Sequence, residues 1–236
     1  MNLHIIGLGG IGSHLLFPLI QYLNYEKKNV FESIILTDGD SYEQKNVNRQ
    51  FITGLQENKA VSQAKYYREM FEDIKITFFD QYITKENINS LIQDGDVVLL
   101  CVDNHKTRKV LEDFSETVQN TTIISGGNEL TDGNVMIIHK RNNIYETPKF
   151  SEIHEELLNP TDKSPDEMSC EELEKSAPQI SIVNAAMADV MRQSLYGMMN
   201  EGIRFYEVMI NVLAANNKYK YFEITDPMNI KRIKIC

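Results

Sequence analysis

The sequence predicts an α/β fold: a doubly wound, mostly parallel Rossmann-like sheet with antiparallel strands toward its C-terminal end. Three observations predict it. The apolar stretch Leu3-His4-Ile5-Ile6 breaks directly into Gly7-Leu8-Gly9-Gly10-Ile11-Gly12-Ser13 and then into Leu15, Leu16, Leu19 and Ile20, the pattern of strand, tight turn and helix. Strand-like and helix-like segments alternate through the first half of the chain, as a parallel sheet with helical crossovers requires. The run Val97-Val98-Leu99-Leu100-Cys101-Val102 is continuously apolar, which suits a strand buried on both faces.

The elements follow in order. Ser33 to Thr37 is a second strand, ending at Asp38, and Glu57 to Phe71 reads as a helix with Ala60, Ala64, Tyr67 and Phe71 on one face. Ile74 to Phe79 is a strand, Lys85 to Ile92 a short helix, and Asp94-Gly95 the turn into the buried strand from Asp96 to Val102. Asn104 can cap a helix running to Val118, and Thr121 to Ser125 is another buried strand. Asp132-Gly133 before the segment Asn134 to His139 reads as a hairpin return. Asn142 to Lys175 is polar and acidic and contains Pro148, Pro160 and Pro165, so a long loop with partial order is expected. From Gln179 to Met199 the residues Ile182, Val183, Ala186, Met187, Val190, Met191, Leu195 and Met198 follow a helical stripe. Tyr206 to Leu213 and Lys218 to Thr225 read as two closing strands. One domain over residues 1–236 is expected, divided into a nucleotide-binding core (1–140), an acidic crossover loop (141–176), and a helix with the C-terminal strands (177–236).

Composition narrows the function. At 236 residues the chain can bury a sizeable core, and 42% apolar with 25% charged residues is ordinary for a water-soluble protein. A formal charge of −10 argues against nucleic acid and anionic membrane as partners. No apolar run has the length of a membrane span, and the N-terminus has no basic region of the signal-peptide kind. Three cysteines, with no C-x-x-C pair, build neither a disulfide framework nor a four-cysteine zinc site, so a reducing cytoplasmic setting is expected.

The residues that carry chemistry converge on the carboxyl edge of the predicted sheet, where such folds bind ligands. Gly7, Gly9, Gly10 and Gly12 let backbone N–H groups approach a phosphate at the positive end of the following helix. Asp38 stands where dinucleotide folds place an acid on a ribose hydroxyl, a position that also fits a dehydrogenase. The polar run from Asp38 and Asp40 through Asn46, Arg49 and Gln50 has no use in hydride transfer, however. Asn46 and Arg49, three apart, can share one face of a helical turn. Arg49 offers a planar, permanently charged fork for phosphate oxygens, and Lys59 follows as a second cation; the alternatives are a surface salt bridge and a solvated lysine. Asp103, after the buried strand, suits a Mg²⁺ held mostly through phosphate and water, or else a second helix cap beside Asn104. Cys101 reads as core filler. His4, His14, His105, His139 and His154 read as structural or surface residues.

Gly-x-Gly-Gly-x-Gly-Ser, Asp-x-Asp, Asn-x-x-Arg-Gln, a lysine ten residues on and Cys-x-Asp-Asn occur here in that order. The series resembles the ThiF/MoeB group, adenylating domains related to ubiquitin-activating enzymes, and in particular small stand-alone ThiF-type proteins without a zinc module. The likeness is specific from Met1 to Gly127 and looser from Ala177 onward. It implies that Asp38 holds the ribose, that Asn46, Arg49 and Lys59 hold the phosphates of ATP, and that Asp103 holds Mg²⁺. It further implies that AMP is transferred to the C-terminal carboxylate of a ubiquitin-like or sulfur-carrier protein. In several relatives a cysteine at the place of Cys170 forms a covalent adduct with the activated partner; an incidental loop thiol is the other reading. Members usually carry an N-terminal helix whose arginine reaches the partner subunit, whereas this sequence starts at its first strand, so a homodimer is left open. A NAD- or FAD-binding oxidoreductase and a non-catalytic ThiF-like binding subunit are the alternatives.

Overall fold

The computed structural model describes residues 1–26, 30–162, 180–212, 220–223 and 232–234. The chain opens with β1 (Leu3–Ile6), α1 (Gly10–Tyr25), β2 (Ile34–Thr37), a 3₁₀ turn at Gln44–Asn46, α2 (Lys59–Met70) and β3 (Ile76–Phe79). It continues through α3 (Ile88–Leu91), β4 (Val97–Leu100), α4 (His105–Thr117) and the hairpin β5 (Thr121–Asn128) and β6 (Asp132–Arg141). Beyond these come β7 (Ile144–Tyr145), α5 (Phe150–Ile153), a 3₁₀ turn at Glu155–Leu157, α6 (Ser181–Asn200), β8 (Phe205–Asn211), β9 (Lys220–Glu223) and β10 (Arg232–Lys234).

Among the described residues one sheet runs in the order β10-β9-β8-β6-β5-β4-β1-β2-β3, with β7 on β6. The five strands β3, β2, β1, β4 and β5 are parallel, and β6, β8, β9 and β10 extend them antiparallel. This is the expected doubly wound sheet with C-terminal antiparallel strands. Strand order reverses between β1 and β4, so the crevice of the fold opens above that pair.

Successive strand residues point to opposite faces, and both faces are covered. Leu3, Ile5, Ile34, Leu36, Val97, Leu99 and Ile124 form one core layer with α1, α2 and α6. Ile6, Val98, Leu100, Ile123, Met136 and Ile138 form the other with α3, α4 and α5. Asn104 caps α4 as expected, accepting from the Thr107 N–H at 2.8 Å. Among the described residues no helix is long and apolar enough to cross a membrane.

One expectation is corrected. Asp132-Gly133 is strand rather than turn: Gly133 pairs with Asn128 and both residues pair with β8, so the hairpin turns at Glu129-Leu130-Thr131. The extra neighbouring strand, invisible in a local pattern, draws these two residues into the ladder. In the segment from Asn142, where partial order is expected, β7, α5 and a 3₁₀ turn come before residue 158. Its first helix is held because Ser151 donates both its N–H (2.8 Å) and its hydroxyl (2.7 Å) to the buried Glu112 carboxylate of α4. Finally, β10 was not foreseen. The rest of the acidic loop, including Cys170, lies outside the described residues, as does Cys236.

The amino edge of the sheet, opposite the glycine turn, is closed by a polar cluster. Asp96 accepts from the Asn2 N–H at 2.6 Å, the Gln93 N–H at 3.0 Å and His4 Nε2 at 3.0 Å. Burial alone would raise the Asp96 carboxyl, but these hydrogen bonds outweigh it and hold the group below its ordinary value of 3.8. A depressed carboxyl stabilises the fold above its unfolded value, and that contribution is lost as pH falls through the lower folded value. Asp96→Asn is therefore expected to cost about 2 kcal/mol at neutral pH and to flatten the acid limb of a plot of melting temperature against pH. An unchanged melting temperature would show that the cluster contributes nothing.

Candidate functional site

The glycine turn between β1 and α1 is tied to both neighbouring strands. Gly7 has φ +85°, the left-handed region that favours glycine, and its N–H donates to the Thr37 carbonyl at 2.9 Å. At Gly12 a side chain is excluded, because a Cβ there would lie 2.1 Å from the Gly7 carbonyl oxygen. Gly9 caps α1 without any side-chain hydrogen bond, and the first turn contains no acidic residue. The first turn thus has neither a side-chain cap nor an acidic residue of its own, which is what a phosphate site needs.

Asp38, at the end of β2, is buried and fastens this turn. Its carboxylate accepts from the Leu8 N–H at 2.6 Å and from the Asp40 N–H at 2.8 Å. Lys59, the first residue of α2, is buried too, and its Nζ lies 2.8 Å from Asp40 Oδ2. Burial would lower the Lys59 ammonium, but the charges of Asp38 and Asp40 outweigh it and keep the lysine protonated. Burial raises Asp38, whereas the neighbouring Lys59 brings Asp40 below its ordinary value. Asn58 places the lysine: its side chain accepts from the Ala60 and Val61 N–H groups and donates to the Asp38 carbonyl at 2.8 Å. Tyr82, from the segment after β3, donates its hydroxyl to Asp40, with its ring against Gly39. The sequence carried a signal for Asn58, an asparagine immediately before a helix, but none for Tyr82.

Asn46 and Arg49 do share one turn, since the Arg49 N–H bonds the Asn46 carbonyl at 3.1 Å. Asn46 spends its side-chain oxygen locally, accepting from the Glu43 N–H at 2.9 Å. Arg49 is half-buried, and its Nε has no protein partner. Other unsatisfied buried polar atoms lie along the same edge: Thr37 Oγ1, Gln50 Oε1, Asn104 Nδ2, Arg108 Nε, Ser125 Oγ and both amide atoms of Asn184. Strand register confirms the edge, because Thr37, Ile6, Leu100 and Ser125 stand in one row across β2, β1, β4 and β5. Buried polar groups are costly without partners, so this row fits a polar ligand with several acceptors and donors.

Asp103 is exposed just beyond β4 and lines a cavity of about 460 Å³ with His105, Arg108, Gly127, Asn134, His154 and other residues of β6 and β8. Arg108 shapes that turn from below, donating to the Val102 carbonyl at 2.8 Å and meeting His105 Nδ1 at 3.1 Å. Across the cavity, His154 Nε2 lies 2.7 Å from the buried Glu207 carboxylate, which also accepts from Asn134 Nδ2 at 2.9 Å. The bond to Glu207 raises the His154 imidazole. His105 and His154 both stand in the cavity wall, and neither Arg108 nor the His154–Glu207 pair was legible from local sequence. Cys101 is core filler as expected, its thiol pushed up by burial. His4, His14 and His139 are held in hydrogen-bonded structural positions.

Among curated proteins, the chain is 25% identical over 188 residues to the adenylyltransferase and sulfurtransferase UBA4 of Candida albicans, covering 78% of this chain and 39% of that protein. It is 30% identical over 112 residues to the SAMP-activating enzyme E1 of Haloferax volcanii, covering 46% of this chain and 39% of that one. The sulfur carrier protein ThiS adenylyltransferase of Escherichia coli is 26% identical over 187 residues, with 78% of this chain and 68% of the relative covered. The chain thus spans well under half of the first two relatives. Among solved structures, E. coli MccB superposes with a TM-score of 0.69 at 15% identity, over 100% of this chain and 65% of MccB. PaaA superposes with a TM-score of 0.67 at 16% identity, over 94% of this chain and 64% of PaaA. These two likenesses concern the fold. A family-wide sequence model described as the ThiF family matches residues 1–231, so the chain belongs to the ThiF family.

Proposed function

We propose that this chain is an adenylyltransferase that uses ATP and Mg²⁺ to activate the C-terminal carboxylate of a ubiquitin-like or sulfur-carrier protein. The observation that carries the reading is the company kept by the glycine turn. A buried, charged Lys59 and an Arg49 with unsatisfied Nε stand near a helix start that has no side-chain cap and no acidic residue in its first turn. Asp40 and Asp38 already balance Lys59, so the groups left to offer an anion are the helix N–H groups and Arg49. Relatives named for adenylylation of ThiS and for SAMP activation support the same chemistry. So do structural neighbours determined with ATP and with AMPCPP plus MccA.

In this reading Asp38 accepts the ribose hydroxyls while the first turn of α1, Arg49 and Lys59 hold the phosphates. Asn46 contributes its free amide N–H groups beside them. Asp40 orients Lys59 and limits its reach. Asp103 would hold a Mg²⁺, completed by phosphate oxygens and water, whose charge would offset that of the triphosphate. The partner's tail enters through the cavity beside Asp103, past Arg108 and His154.

The chemistry then asks little of the protein in covalent terms. The partner's carboxylate is ionised at neutral pH and needs no general base. Its oxygen attacks the α-phosphorus; a carboxyl–phosphorus bond forms while the bond to pyrophosphate breaks, and pyrophosphate leaves with the electron pair. Repulsion between the carboxylate and the phosphates is the main obstacle. Lys59 and Arg49, fixed before the reaction, reduce it without reorganising. The reading also places the reaction in the cytoplasm, and gives Cys170 the role of nucleophile toward the acyl-adenylate.

Exchange of labelled pyrophosphate into ATP, in the presence of a ubiquitin-like protein ending in Gly-Gly, tests the proposal. Lys59→Ala and Asp103→Ala are each expected to reduce exchange by about 100-fold or more, with melting temperature nearly unchanged for the exposed Asp103. Retained exchange in Asp103→Ala would remove that residue from the site. Cys170→Ala is expected to leave exchange intact while abolishing any adduct seen on a non-reducing gel. An adduct that persists would clear Cys170.

A further inference from the structure

α6 packs along α1, and four contacts fix the two helices against each other. Asn184 lies on Gly10, Ser181 Oγ is 3.0 Å from His14 Nε2, and the Tyr22 and Tyr196 rings sit 5.8 Å apart. The fourth contact depends on Pro18, which stands inside α1 without an N–H and leaves the His14 carbonyl without its helical partner. Arg192 of α6 supplies one, donating from Nη1 at 3.0 Å while its Nη2 meets Asp189 at 3.0 Å. The order of these contacts, from Gly10 with Asn184 through His14 with Arg192 to Tyr22 with Tyr196, makes the helices parallel. Both therefore start at the carboxyl edge of the sheet.

The start of α6 has the same character as that of α1. Ile180 gives it no side-chain cap, and its first turn holds no acidic residue. An independent observation points to a ligand at this place. Asn184 is fully buried, and neither its Oδ1 nor its Nδ2 has a hydrogen-bond partner. The amide is aimed at the glycine turn: a Cβ on Gly10 would lie 2.3 Å from Nδ2 and 2.7 Å from Oδ1. An amide buried in this way gives up its bonds to water without return unless a bound group replaces them.

Placement across the sheet says which group that is. The strands run β6-β5-β4-β1-β2, with the glycine turn above β1. Asp38, at the end of β2, marks the ribose side of the turn. α6 lies on the other side, where Met191 packs on Gly126 of β5 and Met187 on Gly133 of β6. The cavity beside Asp103 opens on that same side and is lined by Gly127, Gly133 and Asn134. A carboxylate passing from this cavity to an α-phosphorus at the α1 turn thus arrives at the start of α6.

We propose that Asn184, at the start of α6, binds the carboxylate that is activated, donating from Nδ2 to the oxygen that does not attack phosphorus. That oxygen becomes the carbonyl oxygen of the acyl-adenylate, so the same donor holds the product. The inference rests on the adenylyltransferase reading above and adds to it a residue for the acyl group. An amide suits the task because it donates a hydrogen bond without carrying a charge into a buried seam.

Calorimetric titrations of the full chain with two stable probes test this. One is glycylsulfamoyl adenosine, a mimic of glycyl-adenylate, and the other is adenosine sulfamate, which lacks the glycyl group. Asn184→Leu, of similar volume, is expected to weaken the glycyl compound by about tenfold and adenosine sulfamate by no more than about twofold. Its melting temperature is expected to equal or exceed that of the wild type, because leucine removes an unpaired buried amide. The inference is overturned if both probes weaken by the same factor, or if Asn184→Leu binds the glycyl compound like the wild type. Should Asn184→Leu fail to fold, Asn184→Ala is read in the same titrations by the same criteria. A wild-type chain that binds neither probe nor Mg·ATP would overturn the nucleotide reading itself. Normal wild-type binding of both probes with an unaffected Asn184→Leu would overturn only the role of Asn184.

Discussion

A buried ammonium group between two aspartates organises the rest of this molecule's carboxyl edge. Lys59 is nearly inaccessible to water, and such a charge persists only where opposite charge is close and well hydrogen-bonded. Asp40 supplies the direct contact and Asp38 the second negative charge, while Asp38 at the same time grips the N–H of Leu8. The ion cluster and the glycine turn are consequently one structure. Asn58 locks the start of α2 to β2, and Tyr82 closes the cluster from the side of β3. Removing Lys59 would leave two carboxylates facing each other without a cation, which is why the geometry of the turn and the presence of the cation come together.

The core explains why this edge is where polarity collects. Both faces of the parallel strands are covered by helices, so their residues are apolar through Ile6, Leu100 and Leu36. Backbone continuity then forces the chain out of the sheet at one level, and Thr37, Asp38, Asn104 and Ser125 are the first polar groups above it. Some are satisfied within the protein; others, such as Arg49 Nε and the Asn184 amide, are not. The opposite edge shows the contrast. There Asp96, His4 and Asn2 satisfy one another.

Local pattern made the parallel half of the fold legible because each element there has its own signal. The glycines after β1, the aspartate after β2 and the asparagine before α4 are positions where backbone geometry or a free helix end dictates residue type. The antiparallel half was read less well. Asp132-Gly133 has the chemistry of a turn, yet pairing with β8, more than seventy residues away in the chain, makes it strand. The same limit applies to the site. Arg49, Lys59 and Asp103 stand next to recognisable motifs, whereas His154, Glu207 and Asn184 acquire meaning only when distant segments meet. Pro18 did leave a trace, since a proline inside a helical pattern announces an orphaned carbonyl, but its partner Arg192 is visible only in three dimensions.

The central claim is that a triphosphate lies across the first turn of α1 between Arg49 and Lys59. A crystal structure with magnesium and a non-hydrolysable ATP analogue tests it most directly. The account predicts phosphate oxygens on the N–H groups of Gly10 to Gly12 and within hydrogen-bonding reach of both cations, with the ribose on Asp38. A nucleotide bound elsewhere, or an empty crevice with Arg49 turned to solvent at saturating analogue, would contradict it.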